Sequence, residues 1–211
     1  MLTLRFGSGS YDRMEAILRG IVRPEGIELD FNEISAPRQI FDGMLGEDKF
    51  DVSELSFSNY TMLRASGDDT FVAIPVFPSR LFRHSCIYVN TQAGINEPKD
   101  LIGKKIGVPE YSMTAAVFAR GMLLHEYAVT PDSIEWFSGT QDGLQRPSRI
   151  DFDLPKNVVL HRMPLEQDMG PMLESGELDA IISPNAPTAL EWDKPPVRRL
   201  FEDYRQAEKD Y

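Results

Sequence analysis

Short apolar stretches alternate with helical stripes along the whole chain. Leu2–Phe6 reads as a first strand, and Ile27–Ile34 alternates apolar and polar residues as a half-buried strand does. Between them, Asp12 and Glu15 have the spacing of a capping box for a helix over Arg13–Leu18 that stops near Gly20. Ile40, Phe41, Met44 and Leu45 form one helical stripe ended by Gly46. Phe50–Leu55 reads as a strand, a helix follows over Asn59–Ala65, and Phe71–Phe77 is a nearly continuous apolar run of the kind a doubly covered sheet shows.

The β-rich stretch Arg83–Asn90 is where the chain is expected to cross into a second unit. Beyond it come a short helix from Pro98, a strand over Lys104–Val108, and a long helix over Met113–Tyr127. Strands at Ser133–Phe137, Val158–Arg162 and Leu178–Ser183 follow, with a helix from Met169 that ends at Gly176. Gly139–Pro155 reads as a surface loop, and Glu202–Tyr211 as a polar helix. Such alternation implies βαβ units and a mostly parallel sheet. The expected fold is α/β in two lobes, 1–86 and 87–185, with 186–211 starting a return to the first lobe. Ligands in open α/β sheets bind beyond the carboxyl ends of the strands.

Composition narrows the function. Of 211 residues, 42% are hydrophobic and 26% charged, enough for a real core. No apolar run approaches the roughly 20 residues that span a bilayer, so no membrane insertion is expected. The start of the chain reads as a strand and not as a leader, which suggests a cytoplasmic protein. The net charge of −11 argues against nucleic acid as a partner. It also requires that an anionic ligand be met by local cations and helix N-termini. The single cysteine, Cys86, allows no internal disulfide and reads as a buried structural thiol. His125 and His161 also read as structural.

Chemistry concentrates in two places. Pro75–Ser85 carries Arg80, Arg83 and His84 at the end of an apolar run. Guanidinium forks suit carboxylates, though a solvated loop explains the arginines equally well, and His84 alone reads more simply as a satisfied core histidine. In Gly107–Ala116, Tyr111, Ser112, Met113 and Thr114 open the long helix, whose first amides favour negative charge; an empty N-cap is the bland alternative. Smaller candidates are Ser10, Tyr11 and Arg13 after the first strand, Glu54, Ser56 and Ser58 at a strand-to-helix junction, and Asn185 after the last strand. Phosphate-loop, HExxH and GxSxG signatures are absent.

Gly9–Arg13, Arg23–Ile27, Phe71–Arg80, Phe82–Ser85 and Gly107–Ala116 together resemble the 4,5-dihydroxyphthalate decarboxylase family. The resemblance runs from near residue 5 to the C-terminus. It implies a type II periplasmic-binding-protein-like fold, no cofactor or metal, and conversion of an aromatic dicarboxylate, 4,5-dihydroxyphthalate, to protocatechuate in an inter-lobe cleft. The expected partner is a small aromatic or carboxylate ligand, and a homo-oligomer is compatible with this reading. Arg80 and Arg83 would bind carboxylates, helped by Ser10, Tyr11, Arg13, Ser56, Ser58 and Asn185. The amides of Ser112–Thr114 would take the second anionic end. His84 would be the general acid, with Glu54 and Tyr111 as alternatives. Family members are longer, so the resemblance also implies a C-terminally truncated chain with an incomplete first lobe. The competing readings are a solute-binding protein of the ABC-importer type and a pyrimidine- or menaquinone-precursor enzyme on the same fold.

Overall fold

The computed structural model describes residues 1–144, 150 and 152–211. The chain divides into two compact units, Met1–Leu81 and Phe82–Tyr211.

In the first unit, β1 (Leu2–Ser8) lies between β2 (Ile27–Glu33) and β3 (Val52–Ser53), all parallel. Helices α1 (Glu15–Leu18), α2 (Pro37–Leu45) and α3 (Phe57–Ala65) lie between and after these strands. Parallel pairing puts Ser8, Glu33 and Ser53 at one edge. Pro37 sits in the first turn of α2, where its missing N–H costs nothing, and Gly46 caps the other end. Phe50 fills the core so closely that a Cβ added at Gly7 or at Gly43 would meet its ring at 2.9 or 2.8 Å. Arg5 grips Asp51 through two hydrogen bonds of 2.8 and 3.0 Å. That fork holds the Asp51 carboxyl down to about 2.

Three expectations for this unit change. The capping box does not form: Asp12 Oδ1 accepts from the adjacent Arg13 N–H at 2.7 Å, and a 3-10 turn over Asp12–Met14 precedes α1. Of the stripe on α2, only Ile40 is fully buried. The Phe71–Phe77 run forms no strand, and Val72, Ile74, Val76 and Phe77 are exposed. Pro75 and Pro78 have no N–H for a ladder. The Val76 N–H instead closes a tight local turn on the Ile74 carbonyl, and the Ala73 N–H reaches the Tyr60 hydroxyl.

The second unit holds a mixed sheet in the order β7-β6-β5-β8-β4-β9. Its strands are β4 (Ile87–Asn90), β5 (Lys105–Val108), β6 (Glu135–Ser138), β7 (Val159–Arg162), β8 (Ala180–Ile182) and β9 (Val197–Arg199). β5 through β8 run parallel, while β4 is antiparallel to both β8 and β9. Helices α4 (Thr114–Tyr127), α5 (Met169–Ser175) and α6 (Tyr204–Asp210) complete it. Asp168 caps α5 by accepting from Gly170 N–H, and Gly176 ends it at φ +81°. The apolar core runs through Ile87, Val89, Ile106, Val108, Trp136 and Ile182. Residues 186–211 cluster with the second unit, β9 pairing with β4. In the expected surface loop, Thr140 and Gln141 are buried, whereas 145–149 and 151 lie outside the described residues. No helix among the described residues is long and apolar enough to cross a membrane.

Candidate functional site

Each unit gathers polar side chains at the carboxyl ends of its parallel strands.

In the first unit these surround Glu54, just past β3. Its Oε1 accepts from Ser8 Oγ at 2.9 Å and from the Gly9 N–H at 2.7 Å, and its Oε2 accepts from the Tyr11 hydroxyl at 2.9 Å. The carboxylate thereby ties the turn after β1 to the end of β3. Burial, with the bond to Glu54 adding to it, pushes the Tyr11 phenol up to about 12, so it stays protonated near neutrality. The Arg13 guanidinium lies 5.6 Å from the Tyr11 ring centroid and donates to the Pro78 carbonyl. Ser79 hydrogen-bonds Tyr11. The Pro78–Ser79 segment is thus fixed against Tyr11 and Arg13, and Arg80 follows it with an exposed side chain. Ser56 Oγ and Ser58 Oγ lie 3.1 Å apart at the start of α3. Ser10 lines a shallow depression with Tyr11, Asp12, Glu15, Arg19 and Glu33. Three carboxylates against one guanidinium make that depression a poor seat for a dianion.

In the second unit, β5 leads into Glu110 and Ser112, both buried, with Ser112 Oγ donating to Glu110 Oε1 at 2.8 Å. Beyond β6, Gln141 Nε2 donates to the Asn185 carbonyl at 3.2 Å and to Asp142 Oδ2 at 3.3 Å. The Asn185 N–H donates to Ser183 Oγ at 3.2 Å. Met113 and Thr114 are half-buried at the start of α4.

Two expected catalysts are placed elsewhere. His84 is 1% exposed, with the rings of Phe201 and Tyr211 edge-on at 5.0 and 5.3 Å. Burial lowers its pKa, against the opposing pull of Glu208 and Glu126. A neutral imidazole enclosed by aromatic rings is a core residue and not an acid offered to a ligand. Tyr111 is buried between Trp136, edge-on at 5.5 Å, and Phe152, stacked at 6.3 Å, with the Arg120 guanidinium 3.7 Å from its ring centroid. Burial pushes this phenol up as well, and it holds α4 to the sheet. Arg80 and Arg83 fall in different units, and Arg83 Nε is buried without a partner among the described residues. Of the expected structural residues, Cys86 is buried and free. His161 pairs with Glu135 at 2.9 Å, and His125 is exposed on α4.

Sequence reading gave no role to Glu110, although it lies within the Gly107–Ala116 stretch, and it passed over Gln141, for which position just past a strand end was the available signal. Among the described residues, no three His, Cys, Asp or Glu side chains are grouped to hold a metal ion.

Comparison with known proteins decides the family. No family model matches the chain. Over 210 residues, all of this chain, it is 39% identical to a 4,5-dihydroxyphthalate decarboxylase of Comamonas testosteroni, of which it spans 63%. It is 36% identical over the same length to one of Pseudomonas putida, of which it spans 81%. The chain belongs to the 4,5-dihydroxyphthalate decarboxylase family. Among solved structures it is similar to the periplasmic aliphatic sulphonate binding protein SsuA of Escherichia coli, with a TM-score of 0.55 and 15% identity. The alkanesulfonate-binding SsuA of Xanthomonas axonopodis pv. citri, bound to MOPS, gives 0.53 and 17%. Each likeness covers 95% of this chain and 60% of the other. The chain therefore has a periplasmic-binding-protein-like fold.

Proposed function

We propose that this protein removes one carboxylate from 4,5-dihydroxyphthalate, giving protocatechuate and carbon dioxide. The observation that carries this reading is the 36–39% identity, over the whole chain, to two proteins of that activity.

The chemistry needs a proton delivered to the ring carbon that bears the leaving carboxylate. The C–C bond then breaks, its electron pair restores the aromatic ring, and carbon dioxide departs. A hydroxyl para to that carbon supplies the electron density. In the first unit, Arg13 and Arg80 supply cations for carboxylate binding beside the Tyr11–Glu54 pair. We assign the proton to that pair. The Tyr11 hydroxyl, whose hydrogen bond the Glu54 carboxylate accepts, delivers the proton to the ring carbon. A phenol held at about 12 resists becoming phenolate, so solvent returns a proton to Tyr11 as the first one leaves.

The test follows carbon dioxide release from 4,5-dihydroxyphthalate together with the ring's ultraviolet spectrum. Turnover by the wild-type chain is expected, with Tyr11→Phe lowering kcat by about 10²–10⁴-fold, the usual worth of a positioned proton donor. Substrate binding by that variant should persist. Saturable binding without turnover would instead favour a solute-binding protein, the reading that the SsuA-like fold supports.

A further inference from the structure

We propose that the second unit recognises a ring hydroxyl of the ligand, with Gln141 Oε1 as the acceptor. This rests on the decarboxylase reading for the identity of the ligand, and on the following geometry for the residue.

Gln141 is 4% exposed. It starts just beyond β6, and its side-chain amide bonds to the Asn185 carbonyl just beyond β8. β5 lies between those two strands in the sheet, so the Gln141 side chain crosses the carboxyl end of β5. Its orientation is fixed chemically: both contacts of the amide nitrogen, the Asn185 carbonyl and Asp142 Oδ2, are acceptors. The nitrogen must face them, and the oxygen is turned the other way. That oxygen is buried and has no hydrogen-bond partner among the described residues. An acceptor shut off from bulk water and left unpaired is costly, and such groups ask for a physical reason. At the end of a parallel strand, where ligands of α/β sheets bind, a donor brought by the ligand supplies that reason.

The surrounding charge selects the donor. Pro109–Met113, Gly139–Leu144 and Ser183–Pro187, the first described residues beyond β5, β6 and β8, contain no lysine or arginine, and the nearby Arg120 guanidinium is taken up by the Tyr111 carbonyl and ring. The end of β5 carries the buried Glu110, whose Oε1 already accepts from Ser112. Acceptors therefore dominate these strand ends. A ligand carboxylate there would set acceptor against acceptor, whereas a phenolic hydroxyl satisfies Gln141. Among the groups of a dihydroxyphthalate, only the hydroxyls are neutral donors. This replaces the expectation that Ser112–Thr114 take a second anionic end.

The experiment measures dissociation constants of the whole chain by calorimetry, for 4,5-dihydroxyphthalate and for phthalate, which has the same carboxylates and no hydroxyls. The wild type is expected to bind the hydroxylated compound about tenfold or more tightly, the worth of one well-made hydrogen bond in a dry site. Gln141→Met removes the acceptor at similar volume and should bring the ratio of the two constants close to one. Any general loosening of the loop would weaken both compounds equally and leave that ratio alone. An unchanged ratio in the variant, or no preference in the wild type, overturns the proposal. Should Gln141→Met fail to fold, wild type with 4,5-difluorophthalate decides, since fluorine accepts but cannot donate. Binding like phthalate supports the proposal, and binding like the hydroxylated compound overturns it. A wild type that keeps the hydroxyl preference but releases no carbon dioxide would sink the decarboxylase reading and leave Gln141 as the hydroxyl acceptor. A wild type that takes up none of the three would overturn both.

Discussion

His84 shows how one residue's surroundings reassign its work. Its ring lies edge-on to Phe201 and Tyr211, its Nδ1 has no partner among the described residues, and burial lowers its pKa. Glu208 on α6 and Glu126 on α4 pull the other way and do not win. The unfolded chain therefore takes up this proton more readily than the folded one. Stability attributable to His84 is complete above the ordinary histidine value of about 6.5 and falls as pH drops below it toward the lowered folded-state value. The melting temperature of the wild type should thus decline more steeply on acidification from pH 7.5 than that of His84→Phe. Parallel curves for the two proteins would mean that the imidazole is not held neutral. In the sequence, His84 sat beside Arg80 and Arg83; alone it read as a core histidine, and the resemblance made it a general acid. What the pattern could not show is that residues more than 100 positions later close over it. The contact between Glu54 and Tyr11 joins two residues picked out separately because each flanks a strand end.

Secondary elements were legible wherever the pattern was enforced by two faces of burial. In the second unit β5 to β8 came out within two residues of their expected bounds, because their apolar runs are bounded by turn residues, whereas β4 starts four residues later than the β-rich stretch Arg83–Asn90 and β9 was not expected at all. Phe71–Phe77 has the same apolar character and no neighbour to pair with, and its prolines remove the donors that pairing requires. Gly107 on β5 marks a tight fit in the second unit. A Cβ there would meet Met169 Sδ at 2.7 Å, and Ile181 Cγ1 and Leu178 Cδ1 at 3.1 Å. The glycine is needed for the approach of α5, not for its backbone angles. Gly107→Ala should therefore destabilise the fold by about 1–3 kcal/mol, as overpacking does, read as a lower denaturation midpoint at unchanged slope. An unchanged midpoint would mean that α5 can back away freely.

Across the whole molecule the apolar core is unequally shared. Both clusters of buried apolar side chains belong to the second unit. In the first unit only Met14, Ile40 and Phe50 are buried to the same degree. Local opening free energies follow such differences. Amide hydrogen exchange should therefore be slowest in Ile87–Val89, Ile106–Val108 and Ala180–Ile182, and clearly faster in Leu2–Ser8. Equal protection in the two sheets would contradict this ranking. No sign of it is legible in the chain's pattern, since apolar residues are spread along both halves and only tertiary contact decides which are covered.

The pairing of β4 has a consequence in time. Tyr88 is held between Ile181 on one side and Arg199 on the other. A ribosome that has just released Ile87–Asn90 must add roughly another hundred residues before either neighbour exists, which takes on the order of ten seconds. Through that interval a largely apolar segment, destined for the middle of a sheet, waits unpaired on the nascent chain. The second unit, which ends as the better-packed half, is for that reason the half whose central strand waits longest for its neighbours during synthesis.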